Sequence, residues 1–222
     1  MTAGTASVQA TFQGRTGSLS MTVPSAAAQT MTIFDGTFAT GDWLVEPNRS
    51  PGSANIVYSD LQQSNGSPAP SLLMEHDHLS NGTMTSVHLY QVTTFQPSSS
   101  GAILSIDYSE DRREERAFDH DQELGAQVTS AFVVKQNGKE FFYPLPALPV
   151  LASPALQAAS ATALVASSFH ADDGSSPNFT SSGGPIQFGF MRASTATMAT
   201  GAGDGSEAFH HAIDNFKVVI HY

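Results

Sequence analysis

Cysteine is absent from the sequence. That excludes a disulfide framework, a thiolate metal site and a thiol nucleophile in one stroke. Basic residues are scarce: 9 Lys+Arg stand against 20 Asp+Glu, a formal net charge of −11. Without a basic patch, a phosphate backbone or an anionic membrane surface would be repelled, which disfavours both as partners. No apolar run approaches the ~20 residues of a membrane helix, so membrane insertion is not expected. The opening "MTAGTASVQATFQG" lacks the basic start and apolar core of a signal peptide. Low Lys, abundant Thr, Ser and Gly and the acidic balance lead to the expectation of a secreted or cell-surface bacterial protein. On that expectation its signal lies outside this segment, and neighbouring domains belong to a larger chain.

What remains is a sequence of short alternating segments. Val8, Ala10 and Phe12 alternate with polar residues, and Leu19, Met21 and Val23 do so again. That pattern predicts a hairpin turning around Gly14–Gly17. Pro24 ends it, and residues 25–30 read as a linker. From Met31 onward come "MTIFDGTF", "DWLVE", "ANIVYSD", "SLLMEHD", "MTSVHLYQV", "GAILSIDYSED", "QVTSAFVVKQ", "KEFFYPL", "PIQFGFMRAS" and "IDNFKVVIHY". Gly, Pro, Asn or Ser separates most of them, and no convincing amphipathic helix intervenes. Such spacing predicts an all-β chain, a two-sheet antiparallel β-sandwich or a barrel. The stretch 153–171 reads as a strand with a loop, and "PLPALPVLASP" before it as a crossover or an edge.

Side chains repeat every two residues along a strand. Ile186, Phe188, Phe190 and Arg192 therefore share one face, and Gln187, Gly189 and Met191 the other. Likewise Leu104, Ile106 and Tyr108 oppose Ile103, Ser105, Asp107 and Ser109. A polar sheet face carrying scattered long side chains suits sugar recognition, and it also describes any solvent-facing sheet.

Residues 5–24 resemble the last two strands of bacterial immunoglobulin-like domains, which end "v-A-t-y-x-G-x-t-x-x-l-x-v-P". The pair "TIFDGTFATGDWLVE" and "AIDNFKVVIHY" resembles the first and last strands of the carbohydrate-binding jelly rolls and laminin-G or concanavalin-like sandwiches of bacterial extracellular proteins. This second resemblance covers residues 31–222 and implies a jelly-roll sandwich whose first and last strands meet. It also implies a structural Ca²⁺ between them, for which Asp35 and Asp214 are the candidate ligands. Ala39 stands at the opening acidic position of the family pattern, so Asp35 would have to substitute for it.

Enzymatic readings are weaker. Laminarinase-type glycoside hydrolases carry E-x-D-x-x-E on one strand, and retaining hydrolysis needs two nearby carboxyl groups. In "SIDYSE" Asp107 and Glu110 fit that spacing, but Ser105 replaces the first glutamate. Polysaccharide lyases of similar fold need partners missing around His88 and Tyr90, and no G-x-S-x-G elbow exists. In "EHDH", His76 and His78 share one strand face, and "FHH" at 209–211 could add a third zinc ligand. The run "EDRREERAFDHDQE", with nearly balanced signs, reads as a solvated loop or edge that discourages edge-to-edge pairing.

The leading expectation is thus non-catalytic polysaccharide binding. Trp43, His88, Tyr90, Asp107, Tyr108 and Arg192 are its candidate residues, with no catalytic residue assigned. Trp43, as the sole Trp, and Tyr108, on the face of Leu104 and Ile106, are also candidates for the core. The alternatives are a structural or adhesive spacer without a small ligand, and a hydrolase or lyase on the same scaffold.

Overall fold

A computed structural model describes residues 4–12, 15–23, 28–39, 41–49, 56–63, 71–78, 81–118, 127–148, 155–196 and 207–222. The chain divides into two compact units, Met1–Thr30 and Met31–Tyr222. The first holds an antiparallel hairpin of β1 (Gly4–Phe12) and β2 (Arg15–Val23), in register from Gly4 opposite Val23 to Phe12 opposite Arg15. Gly17 is not in the turn as expected but within β2, paired with Ala10. The turn and Pro24 lie outside the described residues.

The second unit is a two-sheet antiparallel β-sandwich. Its strands are β3 (Thr30–Asp35), β4 (Trp43–Arg49), β5 (Ile56–Gln63), β6 (Ser71–His78) and β7 (Gly82–Tyr90), then β8 (Ser105–Phe118), β9 (Gln127–Gln136) and β10 (Lys139–Pro144). The last three are β11 (Gln157–Leu164), β12 (Ile186–Ala196) and β13 (Glu207–His221). One sheet runs β10-β9-β12-β7-β4, the other β11-β8-β13-β6-β5 with β3 also paired to β13. The opening and closing strands of this unit therefore do meet. Asn137 and Gly138, at φ 54° and 77°, give β9 and β10 the tight turn that an Asn-Gly pair favours. At Gly189 a Cβ would lie 1.9 Å from the His88 carbonyl oxygen, so β12 and β7 can approach only with glycine there.

Between the sheets, one part of the interior is aromatic. Tyr108 stacks on Phe132 of the facing sheet at 4.2 Å, and Phe188, Phe190, Phe216 and Phe169 are fully buried around them. The other part is polar, and it corrects the sequence reading of the charged run. β8 does not end at Asp111 but continues to Phe118, flanked by β11 and β13. Its alternation turns Glu110, Arg112 and Glu114 inward, with 2%, 1% and 1% of their surface exposed. Arg192 of β12 crosses to Glu110 at 2.8 Å. Ser130 of β9 donates to Glu114 at 2.8 Å, and His211 also contacts that carboxylate. Arg112 lies 3.5 Å from Glu110 and 4.0 Å from Glu114. Two guanidinium and two carboxylate groups thus offset each other in the interior, the arrangement that buried charge requires. Residues 119–126, which hold the acidic end of the run, lie outside the described residues.

Three histidines extend this seam. His76 reaches Ser194 at 2.9 Å and Ser86 at 3.1 Å, His78 reaches Ser194 at 2.7 Å, and His88 stacks on Phe190 at 4.6 Å. Burial is the main cause holding all three below the usual imidazole range, His78 at about 4 and His88 at about 3. The unfolded chain takes up protons below about pH 6.5 that the folded chain refuses, so stability is full above that pH and is lost as pH falls. Glu140, pushed up to about 7 chiefly by burial, acts in the opposite sense over the same window and offsets roughly one histidine. The net effect is a melting temperature that drops by roughly 5 °C per pH unit between pH 6 and 4. His78→Gln should flatten that slope, and a melting temperature constant from pH 7 to 4 would contradict the assignment of buried neutral imidazoles.

Candidate functional site

The structure places the six sequence-selected residues in three different environments. His88, Tyr108 and Arg192 are 0%, 2% and 0% exposed. They face the other sheet, not solvent, which corrects their assignment to a ligand-facing surface. The grouping of Arg192 with Phe188 and Phe190 holds, but that shared face is the inner one. Its guanidinium lies 4.9 Å from the Phe190 ring and in contact with Glu110, so it holds the sheets together. Trp43 and Tyr90 are half-buried and adjacent, ring centroids 5.2 Å apart, with Trp43 also 4.9 Å from Phe216. Asp107 stands apart on the outer face of the other sheet, accepting from the Ala163 backbone N–H at 2.8 Å and paired with His221 at 2.9 Å. These contacts hold its carboxyl below the usual range. They also pin β11 where Ala163 takes φ 55°.

Of the two calcium candidates, Asp35 has both carboxylate oxygens engaged by N–H and O–H donors. Asp35 Oδ1 accepts from Thr37 N, Thr37 Oγ1 and Phe38 N at 2.7–2.9 Å, and its Oδ2 accepts from Trp43 Nε1 at 2.7 Å. The carboxylate thus organises the "DGTFATGDW" turn, with Phe38 at φ 48° stacked on Trp43. Asp214 is fully buried at a register shift of β13 and accepts from the Asn215 N–H at 2.8 Å. Among the described residues no cluster of three or more His, Asp or Glu side chains is arranged to hold a metal ion. His76, His78 and His211 do converge, but Ser194 and Ser86 take up the His76 ring nitrogens.

An open feature among the described residues is a groove of about 1020 Å³ on the outer face of the five-stranded sheet. None of the six sequence-selected residues lines it. Strand pairing sets its floor in cross-strand rows. One row runs Pro144, Ala131, Met191, Val87, Glu46, and the next runs Phe142, Val133, Gly189, Leu89, Leu44. Of the second row only Phe142 lines the groove. Val87, Leu89 and Val133 are buried beneath Phe142 and Met191. One wall is the loop after β11, tied to the β10 edge by reciprocal backbone hydrogen bonds between Phe142 and His170 at 2.9 and 3.2 Å. Lys139 contacts Asp173 and Ser175 there.

Charge spans the groove. Lys135 of β9 and Glu46 of β4 are separated by β12 and β7, about 14 Å at ordinary strand spacing. Yet Lys135 Nζ lies 2.6 and 2.8 Å from the two Glu46 oxygens. Extended lysine and glutamate side chains together reach about that far, so this ion pair lies across the two intervening strands on the outer face. Glu140 joins the same lysine at 3.6 Å. The Lys135 hydrogen bond holds Glu46 below the usual carboxylate range, whereas burial, then Glu46 itself, pushes Glu140 up to about 7. Sequence reasoning missed these residues although parity was available. The outer face follows from taking the opposite register to Phe188 and Phe190 on β12 and to Phe132 and Val134 on β9.

No family model matches the chain, and no curated protein does. Among solved structures, one chain from work described as "Structural basis for the promiscuous specificity of the carbohydrate-binding modules from the beta-sandwich super family" is 10% identical with a TM-score of 0.39, over 97% of this chain and 74% of that one. Another, described under "Structural analysis of an exo-beta-agarase", is 9% identical with a TM-score of 0.37, over 80% of this chain and 23% of its own length.

Proposed function

We propose that this protein binds polysaccharide without cleaving it, in the groove on the outer face of the five-stranded sheet. The observation that supports the reading is the groove itself, where Phe142, Met191 and Pro144 lie beside Glu46, Lys135, Lys139 and Glu140 on the outer face of the sheet. Sugar rings offer both matching surfaces. Their C–H faces pack on Phe142, Met191 and Val87, while carboxylate and ammonium groups at the rim read hydroxyls. Direct hydrogen bonds from ionised partners are the stronger kind. The lining residues come from β4, β7, β9, β10 and β12, so an extended chain contacts several strands. Action outside the cell accompanies this reading, since polysaccharides of that length are met there. No helix among the described residues is long and apolar enough to cross a membrane.

A glycan array followed by calorimetry tests the site. Lys135→Ala and Phe142→Ala should each weaken binding about tenfold, the equivalent of ~1.4 kcal/mol. Asp107→Asn, on the opposite sheet, should leave it unchanged. Binding that survives both groove substitutions, or that depends on Asp107, removes the groove from the account.

Because the Asp35 oxygens are taken by N–H and O–H donors, a chelator should leave both glycan affinity and melting temperature unchanged. A drop of more than ~5 °C in EDTA, reversed by added Ca²⁺, would show a structural cation that this arrangement does not accommodate.

A further inference from the structure

We propose that the buried histidines between the sheets form an acid-operated release for the groove: their protonation parts the sheets along one half of the strands, and the groove on the outer side of the same strands gives up its glycan. This rests on the reading of the groove as a glycan site and adds its regulation.

The interior divides along the length of the strands. One half is aromatic and aliphatic, with Phe132 of β9, Phe188 of β12 and Phe216 and Val218 of β13 fully buried. The other half holds His76 and His78 of β6, His88 of β7 and His211 of β13, all without exposed surface. What joins the sheets there is polar. His76 and His78 share the Ser194 hydroxyl of the facing sheet, and His76 also reaches Ser86 of that sheet. Water can satisfy imidazoles and hydroxyls as well as they satisfy each other, so this half opens more readily than the apolar one.

The charges facing these rings are already engaged. Glu110 is taken by Arg192 and the Tyr108 hydroxyl, Glu114 by Ser130 and His211, and Arg112 lies near both carboxylates. In register, β13 sets Glu207 opposite His78, β8 sets Arg116 opposite Phe209, and β5 sets Tyr58 opposite His76 and Asp60 opposite Met74. Arg192 opposes positive charge on His76 and on His88, and His211 opposes it on His76, His78 and His88. A ring opened to water takes up its proton below about pH 6.5, whereas burial disfavours that proton in the closed seam. Neutral pH therefore favours the closed seam and acid the open one.

The groove lies on the back of this seam. On β7, Ser86 turns inward between Thr85 and Val87, both of which line the groove. On β12, inward Arg192 follows Met191, which also lines it, and donates to the Met191 carbonyl at 3.0 Å. Parting the sheets here shifts Thr85, Val87 and Met191 relative to Lys135 and Phe142, which back onto the apolar half.

Hydrogen exchange of the whole chain at pH 7 and pH 4.5, corrected for chemical exchange, is measured beside the glycan array read at the same two values. At pH 4.5 protection should fall at least tenfold in β6 and in residues 207–213, and stay within about threefold in residues 132–136 and 216–220. Array signals present at pH 7 should fall at least tenfold at pH 4.5 and return on neutralisation. His78→Gln, neutral at both values, should keep at least threefold more signal than the parent at pH 4.5. The parent's exchange pattern decides by itself: protection equal at both values, or lost from both halves together, overturns the proposal. A signal loss unchanged in His78→Gln reflects the groove's own carboxylates and overturns it too. Signals that persist at pH 4.5 overturn the release and preserve the glycan reading, whereas no signal at pH 7 overturns both.

Discussion

The ion pair between Arg192 and Glu110 fixes which way this sandwich faces. Arg192 belongs to one sheet and Glu110 to the other, neither side chain is exposed, and they meet at 2.8 Å. Along a strand, the direction of one side chain sets all the rest. Turning Arg192 inward carries Ile186, Phe188 and Phe190 inward with it and sends Met191 out. Turning Glu110 inward does the same for Ile106, Tyr108, Arg112 and Glu114, and sends Asp107 out. An unpaired buried charge would be intolerable, so the two strands must keep this register together. The outer face is therefore the counterpart of the polar seam within: His88, Tyr108 and Arg192, which could have read a ligand by type, are spent on cohesion, and the groove is built from other residues.

Most of the strand sequence was legible from alternation and turn chemistry. The grouping of Arg192 with Phe188 and Phe190 could be read from residues, and the meeting of the first and last strands of the second unit was implied by the family resemblance. Which group faces inward could not. Phe188 and Phe190 argued for the interior, but Arg192 and His88 argued for water by residue type, and type prevailed in the reading. The charged run misled for a related reason. Charges following a strand are usually solvated, and only distant partners make Glu110, Arg112 and Glu114 interior. Arg192 is 82 residues from Glu110 in the chain and His211 is 97 from Glu114. Local pattern carries no trace of such pairings.

The groove was hidden for a different reason. Glu46, Lys135 and Glu140 lie on three strands, and nothing in their own segments distinguishes them from ordinary surface residues. Only the strand order of the folded sheet brings Lys135 to Glu46 across two intervening strands. Asp35 shows the converse. Its place in "FDGTF" suggested a cation ligand, whereas its oxygens organise a turn and anchor the single Trp. A short motif specified architecture at that point.

The most direct measurement of this account is a double-mutant cycle on the pair that joins the sheets, with Arg192→Met, Glu110→Gln and the double variant unfolded in urea. Each single change should cost about 3–5 kcal/mol because it strands a buried charge. The double variant should recover at least ~2 kcal/mol of the summed cost, or regain a cooperative transition where a single variant has none. Costs that simply add, or single variants as stable as the parent, would mean that Arg192 and Glu110 do not meet inside the protein, and the inward register and the outward groove would fall together.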